Sequence, residues 1–298
     1  WRLLSRQVHT IYHNGALVNY LFDYAAMRET NVGGTHEVIR LALSDRVKVL
    51  NHISTTFVFG WSVKRTLFET DTNPDMDHLD FGYSQSKWVS EQVVLRAMRH
   101  GLQARIFRPA LLSPSIAGEG YNFDISIRLL AFMLKHRIGT TAGNQVSFSP
   151  ADLAADNIVA ISSFPGSLGT TCHVTRDTYA TMLDITTILA RLTGQEFENF
   201  TLDDFVPEVI ERCRKDDLLF PLLNFLVRSV GNITAMEFKR YDNSNFQRFR
   251  DQALQGREDP PLEDVVAGIL GFMRGQGIVE DGHRLVSQGS DQRNCPHV

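Results

Sequence analysis

A basic surplus, paired cysteines and long apolar runs are all absent from this sequence of 298 residues. Its 30 Lys and Arg residues are outnumbered by 34 Asp and Glu residues, so no cationic excess is present to neutralise nucleic-acid phosphates. No apolar run approaches the roughly 18 residues of a membrane span, and Trp1–Arg6 is followed too soon by polar residues to be a signal peptide. We therefore expect neither a nucleic acid nor a membrane as a partner.

Cysteine is also scarce, with three residues that lie far apart: Cys172, Cys213 and Cys295. An odd number at these spacings indicates neither a disulfide framework nor a metal site. The ten histidines are scattered without ligand spacing, so we expect no bound metal. The expected location is the reducing environment of the cytoplasm.

Apolar residues make up 43% of the chain and charged residues 21%, as in ordinary globular proteins. In the first part of the chain, strands are predicted at residues 8–12, 47–53 and 102–107, and helices at residues 23–43 and 83–99. Strands that alternate with helices of this length indicate a parallel sheet that helices cover on both faces. The predicted class is α/β, with a Rossmann-like doubly wound sheet that binds ligands at the carboxyl ends of its strands.

The second part of the chain has a looser pattern, which is mostly helical after Leu202. Four of its elements are predicted as follows: helices near residues 123–136, 152–162 and 181–193, and a strand at residues 170–174. We predict a Rossmann-like catalytic part at residues 1–115, a mixed but mostly helical part at residues 116–281 that completes the domain, and a disordered tail at residues 282–298.

One polar stretch, Gly82–Trp88, places Tyr83 and Lys87 four residues apart at the start of a predicted helix. At this spacing the two side chains lie on one face of the helix, about 6 Å apart along its axis. A cation so close favours the phenolate, so we expect the pKa of Tyr83 to fall from about 10 towards a range useful for proton transfer. The pair predicts carbonyl reduction, whereas the same spacing without other motifs is usually a solvated helix face.

Three hydroxyl residues, Ser54, Thr55 and Thr56, follow the predicted strand at residues 47–53. Because ligands bind at the carboxyl ends of such strands, one of these hydroxyls can share a carbonyl oxygen with Tyr83. The alternative is that all three are ordinary strand residues.

Several motifs occur together in the order and approximate spacing of a known family: Tyr12–Asn19, Asn31–Thr35, Ser54–Thr56 before Phe59–Gly60, Tyr83–Glu91 and Arg108–Pro109, with a further similar segment at Phe148–Ala154. On these motifs the sequence resembles the extended short-chain dehydrogenase/reductase family. Within that family it is similar to the thioester reductase domains that end nonribosomal peptide and polyketide assembly lines or carboxylic acid reductases. The resemblance weakens in the helical part after Leu202.

The N-terminal part of the family pattern has no counterpart in this sequence. The family begins with a strand, a Gly-x-x-Gly-x-x-Gly turn and a helix that holds the cofactor pyrophosphate, whereas the first strand predicted here corresponds to the family's fourth. We expect half of the usual sheet to be absent and the first strand to be an open edge. The hypothesis is that about one hundred N-terminal residues have been removed or are supplied elsewhere.

The resemblance implies a role for each matching residue. Tyr83 is the expected proton donor, Lys87 lowers its pKa and holds the nicotinamide ribose, and Thr55 binds the substrate oxygen, with Thr56 as the alternative. The residues expected to bind the cofactor are Asn14, Gly15, Ala16, Ser54, Lys87, Pro109 and Leu111. Asn31 is expected to support the turn after the first strand, unless it is an ordinary helix-surface residue, and His13 is expected to shape that turn.

The reaction that the resemblance implies is reductive release of an acyl or peptidyl thioester as an aldehyde or an alcohol, with NADPH as cofactor. The expected partner is a carrier protein with a phosphopantetheine arm, which residues 116–281 would face together with the substrate. Basic groups such as Lys64–Arg65 are expected to be solvated surface or, alternatively, a contact for an acidic carrier protein. Two other classes stay open, namely a free-standing dehydrogenase or epimerase acting on a sugar or sterol alcohol, and a non-catalytic domain.

Overall fold

The computed structural model describes residues 1–77, 79–120, 123–236 and 239–279, and the tail predicted at residues 282–298 lies outside these ranges. In chain order the strands are β1 (Thr10–His13), β2 (Val49–Ile53), β3 (Thr66–Leu67), β4 (Ala104–Pro109), β5 (Leu111–Ser113), β6 (Ile138–Thr140), β7 (Gln145–Val146), β8 (Phe148–Pro150), β9 (Thr171–Val174), β10 (Ala180–Thr181), β11 (Glu198–Phe200) and β12 (Arg240–Tyr241). The helices are α1 (Arg2–Gln7), α2 (Tyr24–Arg28), α3 (Gly34–Leu43), α4 (Gly82–Arg99), α5 (Ile125–His136), α6 (Ala151–Ser163), α7 (Met182–Thr193), α8 (Leu202–Arg212), α9 (Leu223–Ala235), α10 (Ser244–Leu254) and α11 (Leu262–Gly275).

The central sheet contains four parallel strands in the order β1-β2-β4-β9. On one face α3 and α4 pack against it, and Leu50, Val94 and Ile106 share an apolar cluster there. On the other face α6 and α10 pack against it, and Phe107 and Ile158 belong to a second cluster. Ile106 and Phe107 are successive residues of β4 that enter opposite clusters, as the period of two along a strand requires. The predicted α/β class with a doubly wound parallel sheet is confirmed.

The helix predicted at residues 23–43 is divided in the structure. α2 begins after Asp23, whose carboxylate accepts a 2.9 Å hydrogen bond from the N–H of Ala26. A π-helical turn, Glu29–Gly33, then leads into α3. The predicted helical course over residues 23–43 is therefore confirmed, with one wider π-helical turn between its two α-helical parts. The short helix α1 was not predicted, and of its residues only Ser5 is buried.

A second and larger core lies in the mostly helical part. Its buried members come mainly from α5, α7 and α11: Leu130, Phe132, Met133, Ile185, Leu189, Ile269, Phe272 and Met273. We call these residues the apolar core. α5 and α7 contact β6, which pairs with β11, and α11 contacts β8, which pairs with β5.

The chain returns to the central sheet after residue 115, since α6, β9 and α10 all pack there. The division into a catalytic part ending at residue 115 and a substrate part at residues 116–281 stays a prediction. Within the four ranges given above, no helix combines the length and the hydropathy that a membrane crossing requires.

Candidate active site

The first half of α4 buries polar side chains where a helix on a sheet usually buries apolar ones. Tyr83, Lys87 and Glu91 recur every four residues and are all buried, so they share the helix face that lies against the sheet. Ser86 and Ser90 are buried between them. Small and polar residues on this face bring the catalytic candidates close to the strand ends.

Gly82 sets the start of α4. A β-carbon at this position would lie 2.3 Å from the carbonyl carbon of Asp23 and 2.4 Å from the carbonyl oxygen of Phe22. Backbone atoms cannot give way cheaply at such distances. The missing side chain therefore allows the segment before α2 to press against the helix next to Tyr83.

Two threonines follow β2, and each lies beside a different tyrosine. The side chain of Thr55 lies close enough to Tyr83 to lower its pKa, and that of Thr56 acts in the same way on Tyr241. Thr55 also accepts a hydrogen bond from the N–H of Phe57, which caps the 3₁₀ turn at residues 56–59. Of the two threonines considered for the substrate oxygen, Thr55 is the one that the structure brings to Tyr83.

Burial raises the pKa of Tyr83 to about 12, although the neighbouring side chain of Thr55 acts in the opposite direction. The expectation that the pKa falls is therefore wrong for this structure. The reason is desolvation, because a phenolate loses more hydration than a phenol when it is buried. At neutral pH Tyr83 carries its proton, as a proton donor must.

The ammonium group of Lys87 is buried beneath the strand ends. Its Nζ donates a 2.7 Å hydrogen bond to the carbonyl oxygen of Ile53, the last residue of β2. Burial lowers the pKa of Lys87 to about 8, and the nearby carboxylate of Glu91 opposes this shift. Burial, with the charge of Lys87 as the next cause, lowers the pKa of His13 to about 4 and that of His52 well below its usual range. The cation therefore faces the carboxyl ends of both β1 and β2.

Asn31 connects the loop after β1 to α4, the helix that carries Tyr83 and Lys87. Its side chain accepts a 2.7 Å hydrogen bond from the N–H of Leu17 and donates a 3.0 Å hydrogen bond to the carbonyl oxygen of the same residue. It also donates a 2.9 Å hydrogen bond to Oγ of Ser86 on α4. Asn31 is almost fully buried, so the interpretation as a helix-surface residue is wrong and the supporting role is the one that the structure has.

A buried polar network joins α4 to β4 and β9. Arg108 donates hydrogen bonds to both carboxylate oxygens of Glu91, from Nε at 3.1 Å and from Nη2 at 2.6 Å. The two side chains are 2% and 0% exposed. Ser54 donates a 2.6 Å hydrogen bond to the same carboxylate, and Nη1 of Arg108 lies 3.2 Å from Nε2 of His173. We call Ser54, Glu91, Arg108 and His173 the polar core.

Sequence reasoning did not find the polar core, although two signals were present. Glu91 stands one helical repeat beyond Lys87 on the face that carries Tyr83. Arg108 stands in β4, all of whose residues are buried. A charged residue in a fully buried strand needs a buried partner of opposite charge. The network holds the side chain of Ser54 against Glu91, next to Thr55.

Aromatic side chains from separate segments surround the ring of Tyr83. The centroids of Tyr20 and Phe57 lie 6.2 Å and 6.4 Å from that of Tyr83. Phe81 and Phe225 complete the group, with centroids 5.5 Å apart. We call Tyr20, Phe57, Phe81 and Phe225 the aromatic enclosure. It was not predicted, because Phe225 reaches the site from the helical part through a tertiary contact.

The end of β1 fits the reacting half of a nicotinamide cofactor. Asn14 and Gly15 are exposed and Ala16 is half-buried, just past the last residue of β1. A β-carbon added at Gly15 would meet no atom within 4 Å, so a ligand can approach the backbone there. Lys87 and the Thr55–Tyr83 pair supply a cation and two hydroxyls at the neighbouring strand end.

The remaining predicted cofactor residues have other contacts in the structure. Ser54 is bound to Glu91, as described above. Pro109 is the buried last residue of β4, and Leu111 begins β5 and packs against the cluster that contains the apolar core. Contact between the cofactor and these three residues stays a prediction.

A doubly wound parallel sheet, with a tyrosine, a lysine and a hydroxyl residue gathered at its strand ends, defines a short-chain dehydrogenase/reductase. Residues 1–158 match an NAD-binding family with the description "Male sterility protein". The chain belongs to this family, and its cofactor is a nicotinamide dinucleotide.

Similar sequences and solved structures support the assignment to this family. The chain is 31% identical over 217 residues to a linear gramicidin synthase of Brevibacillus parabrevis, a match that covers 72% of this chain and 4% of that protein. The terminal R domain from the myxalamid PKS-NRPS biosynthetic pathway superposes with a TM-score of 0.86 at 27% identity, covering 95% of this chain and 72% of that one. A thiolation-reductase di-domain from an archaeal non-ribosomal peptide synthetase shares the fold, with a TM-score of 0.75 at 18% identity over 92% of this chain and 59% of that one. The resemblance to thioester reductase domains is confirmed, and the chain spans only a small part of the synthetase that it matches.

Proposed function

We propose that this chain reduces an acyl or peptidyl thioester on a carrier protein and releases the product as an aldehyde or an alcohol. The observation that carries the proposal is the proximity of Thr55 to Tyr83 just past β2, where the buried ammonium group of Lys87 binds the carbonyl oxygen of Ile53. Two hydroxyl donors that meet at one point are suited to hold a carbonyl oxygen on which negative charge develops. The likeness to terminal reductase domains supports a thioester as the source of that carbonyl.

In the proposed mechanism each residue has one task. Thr55 and Tyr83 donate hydrogen bonds to the thioester oxygen, and Tyr83 transfers its proton to that oxygen as the carbonyl carbon is reduced. Lys87 stabilises the phenolate that remains, because an ammonium group within the same buried site favours the charged form. The cofactor, when bound, supplies the hydride. The resulting hemithioacetal breaks its carbon–sulfur bond, which releases a thiol and an aldehyde.

The finer assignments belong to the same proposal. Asn14, Gly15, Ala16 and Lys87 would hold the ribose and nicotinamide of NADPH, since the exposed backbone at Gly15 and the cation of Lys87 lie at adjoining strand ends. A carrier protein as partner is supported by the similarity to the thiolation-reductase di-domain. A cytoplasmic location is supported by the two described cysteines, which are free and buried.

The two Thr–Tyr pairs offer a matched experiment. We expect Tyr83→Phe to lower kcat for reduction of an acyl thioester by NADPH about a hundredfold or more, with cofactor affinity, measured by fluorescence titration, nearly unchanged. Tyr241→Phe removes the hydroxyl of the half-buried tyrosine beside Thr56 and should leave kcat within about twofold. Thr55→Val and Thr56→Val extend the comparison to the threonine side.

Equal losses of kcat in Tyr83→Phe and Tyr241→Phe would show that Tyr83 has no special part in the mechanism. Activity on a sugar or sterol alcohol with NAD, combined with none on acyl thioesters, would assign the chain to the free-standing dehydrogenase or epimerase class.

A further inference from the structure

A pocket of about 330 Å³ lies apart from the catalytic cluster, by which we mean Thr55, Tyr83 and Lys87. Three cationic side chains line this pocket: Lys64, Arg65 and Lys239. The hydroxyl residues Ser62 and Thr234 line it as well. No carboxylate is among its lining residues in the described part of the chain. A concentration of positive charge on a protein with a net charge of −4 selects for an anionic ligand.

Lys239 is the buried member of this set, with 8% of its surface exposed. Its Nζ donates a 3.1 Å hydrogen bond to the carbonyl oxygen of Gly60 and lies 3.4 Å from Sδ of Met236 and 5.6 Å from the centre of the Tyr241 ring. Within the described residues it forms no ion pair. Burial lowers its pKa to about 8, so the ammonium form still predominates at neutral pH. A buried cation without a counter-charge is costly unless a ligand supplies one.

Lys64 stands at the open side of the pocket. Its Nζ lies 3.5 Å from a carboxylate oxygen of Asp71, and its side chain is 63% exposed. An ion pair with one partner so exposed is weak, so Lys64 can turn towards a bound anion at little cost. The pocket thus combines a fixed cation at its base with a movable one at its rim.

The pocket lies near β9 and away from the loop that follows β1. Gly60, the hydrogen-bond acceptor of Lys239, follows directly on the 3₁₀ turn that Thr55 caps. The neighbouring strand β12 pairs with β3, and its Tyr241 contacts His173 of β9 with ring centroids 5.6 Å apart. Three of the predicted cofactor residues, Asn14, Gly15 and Ala16, follow β1, at the opposite end of the strand order β1-β2-β4-β9.

The helix α9 connects the aromatic enclosure with the pocket. Phe225 of this helix packs in the aromatic enclosure, whereas Thr234, nine residues later, lines the pocket. Nine residues of α-helix rise roughly 14 Å. Three bonds of an extended chain advance about 3.6 Å, so the dozen or so bonds between the sulfur and the phosphate of a pantetheine arm also span about 14 Å.

We propose that this pocket binds the phosphate ester at the base of the pantetheine arm while the thioester at its tip lies against Thr55 and Tyr83. Lys239 is the central ligand of the phosphate, with Lys64 and Arg65 around it. The inference rests on the proposed function for the identity of the arm, whereas the cationic pocket is independent of that function.

The test compares S-acyl-4′-phosphopantetheine with S-acyl-pantetheine, which lacks only the phosphate. For the unaltered chain we expect KM to be about tenfold lower for the phosphorylated substrate, at similar kcat, because charge-assisted hydrogen bonds to a phosphate are strong. Lys239→Met should abolish this preference, and Lys64→Gln, on the exposed rim, should reduce it by about threefold without affecting the fold. Lys215→Met, at an exposed lysine away from the pocket, is the matched control and should preserve the preference.

Equal KM values for the two substrates with the unaltered chain would overturn the proposal. A rise in KM for NADPH in Lys239→Met, with no change for phosphopantetheine substrates, would also overturn it and assign the pocket to a cofactor phosphate. If neither thioester is reduced, the proposed function fails, and equilibrium dialysis of 4′-phosphopantetheine still decides the inference. Tighter binding by the unaltered chain than by Lys239→Met supports the pocket, and equal binding rejects it.

Discussion

The polar core and the apolar core are both fully buried, yet they are built on opposite principles. The polar core joins α4, β4 and β9 through a bidentate ion pair between Glu91 and Arg108. The apolar core joins α5, α7 and α11 through side chains such as Leu130 and Leu189, which are 0% exposed. A buried ion pair adds little net stability, because desolvation offsets most of its attraction. The polar core therefore fixes the geometry beside the catalytic residues, whereas the apolar core supplies stability.

The largest expected effect is at the polar core. Arg108→Met leaves the carboxylate of Glu91 buried without its partner, and we expect the free energy of unfolding to fall by about 3–5 kcal/mol. Urea denaturation measures this value. Arg191→Met is the control, since Arg191 pairs with Glu263 at the surface, with 62% and 49% of the side chains exposed, and should cost less than about 1 kcal/mol. A similar fall in the free energy of unfolding in both variants would contradict the distinction between the buried and the exposed ion pair.

The apolar core gives the next effect, on stability alone. Leu189→Ala removes a fully buried side chain on α7, and we expect a loss of about 3 kcal/mol in the free energy of unfolding. Because Leu189 has no part in the polar core, kcat at a temperature where the variant is folded should stay within about twofold of the unaltered value. Leu183→Ala, on the same helix but exposed, is the control. A large loss of kcat in Leu189→Ala would show that the two cores are coupled.

The contact between α4 and the segment before α2 gives a smaller effect. Gly82→Ala places a methyl group 2.3 Å from the backbone of Asp23, and we expect a loss of about 2 kcal/mol from overpacking. Gly231→Ala is the counterpart, since a β-carbon there meets no atom within 4 Å, and in the middle of α9 it should stabilise the chain by about 0.5 kcal/mol. Thermal denaturation distinguishes the two signs. A neutral Gly82→Ala would mean that the segment moves away at no cost.

The smallest expected effect concerns pH and the buried histidine beside Lys87. The pKa of His52 in the folded state is well below 6.5, so the unfolded state binds more protons and the folded state loses stability as the pH falls through 6.5. Between pH 7.5 and pH 5.5 one such histidine costs about 1.4 kcal/mol. His52→Phe should remove this part of the pH dependence, measured by urea denaturation at both pH values, and His100→Gln, at an exposed histidine, should not. An unchanged slope in His52→Phe would contradict the assignment.

Much of the fold was accessible from local sequence patterns. The helix at residues 83–99 and the strands around it follow from periodicity and from the glycine at residue 101 that ends the helix, and the structure has them with small boundary shifts. The contacts made within the π-helical turn at residues 29–33 were not accessible, because Asn31 bonds there with Leu17 and Ser86. A hydrogen bond to residues 14 and 55 positions away leaves no periodic trace in the sequence.

The features of the candidate site also fall into those that local sequence patterns revealed and those that they did not. Tyr83, Lys87 and the threonines after β2 could be found because four-residue spacing and strand ends are local features. The family resemblance favoured Thr55 over Thr56, but the tyrosine that each threonine meets could not be predicted from spacing. The direction of the pKa shift at Tyr83 was also misjudged, because the sequence gives the nearby cation but not the depth of burial.

The sequence by itself determined the α/β class, the catalytic helix with Tyr83 and Lys87, and the likeness to thioester reductases. These depend on residues close together in the chain or on motifs in a fixed order. Only the tertiary structure decided the partners of Ser54 and Arg108, the aromatic enclosure and the basic pocket at Lys239. Each of these features joins segments that are far apart in sequence. The burial of a side chain between such segments sets whether it is charged and what it can bind.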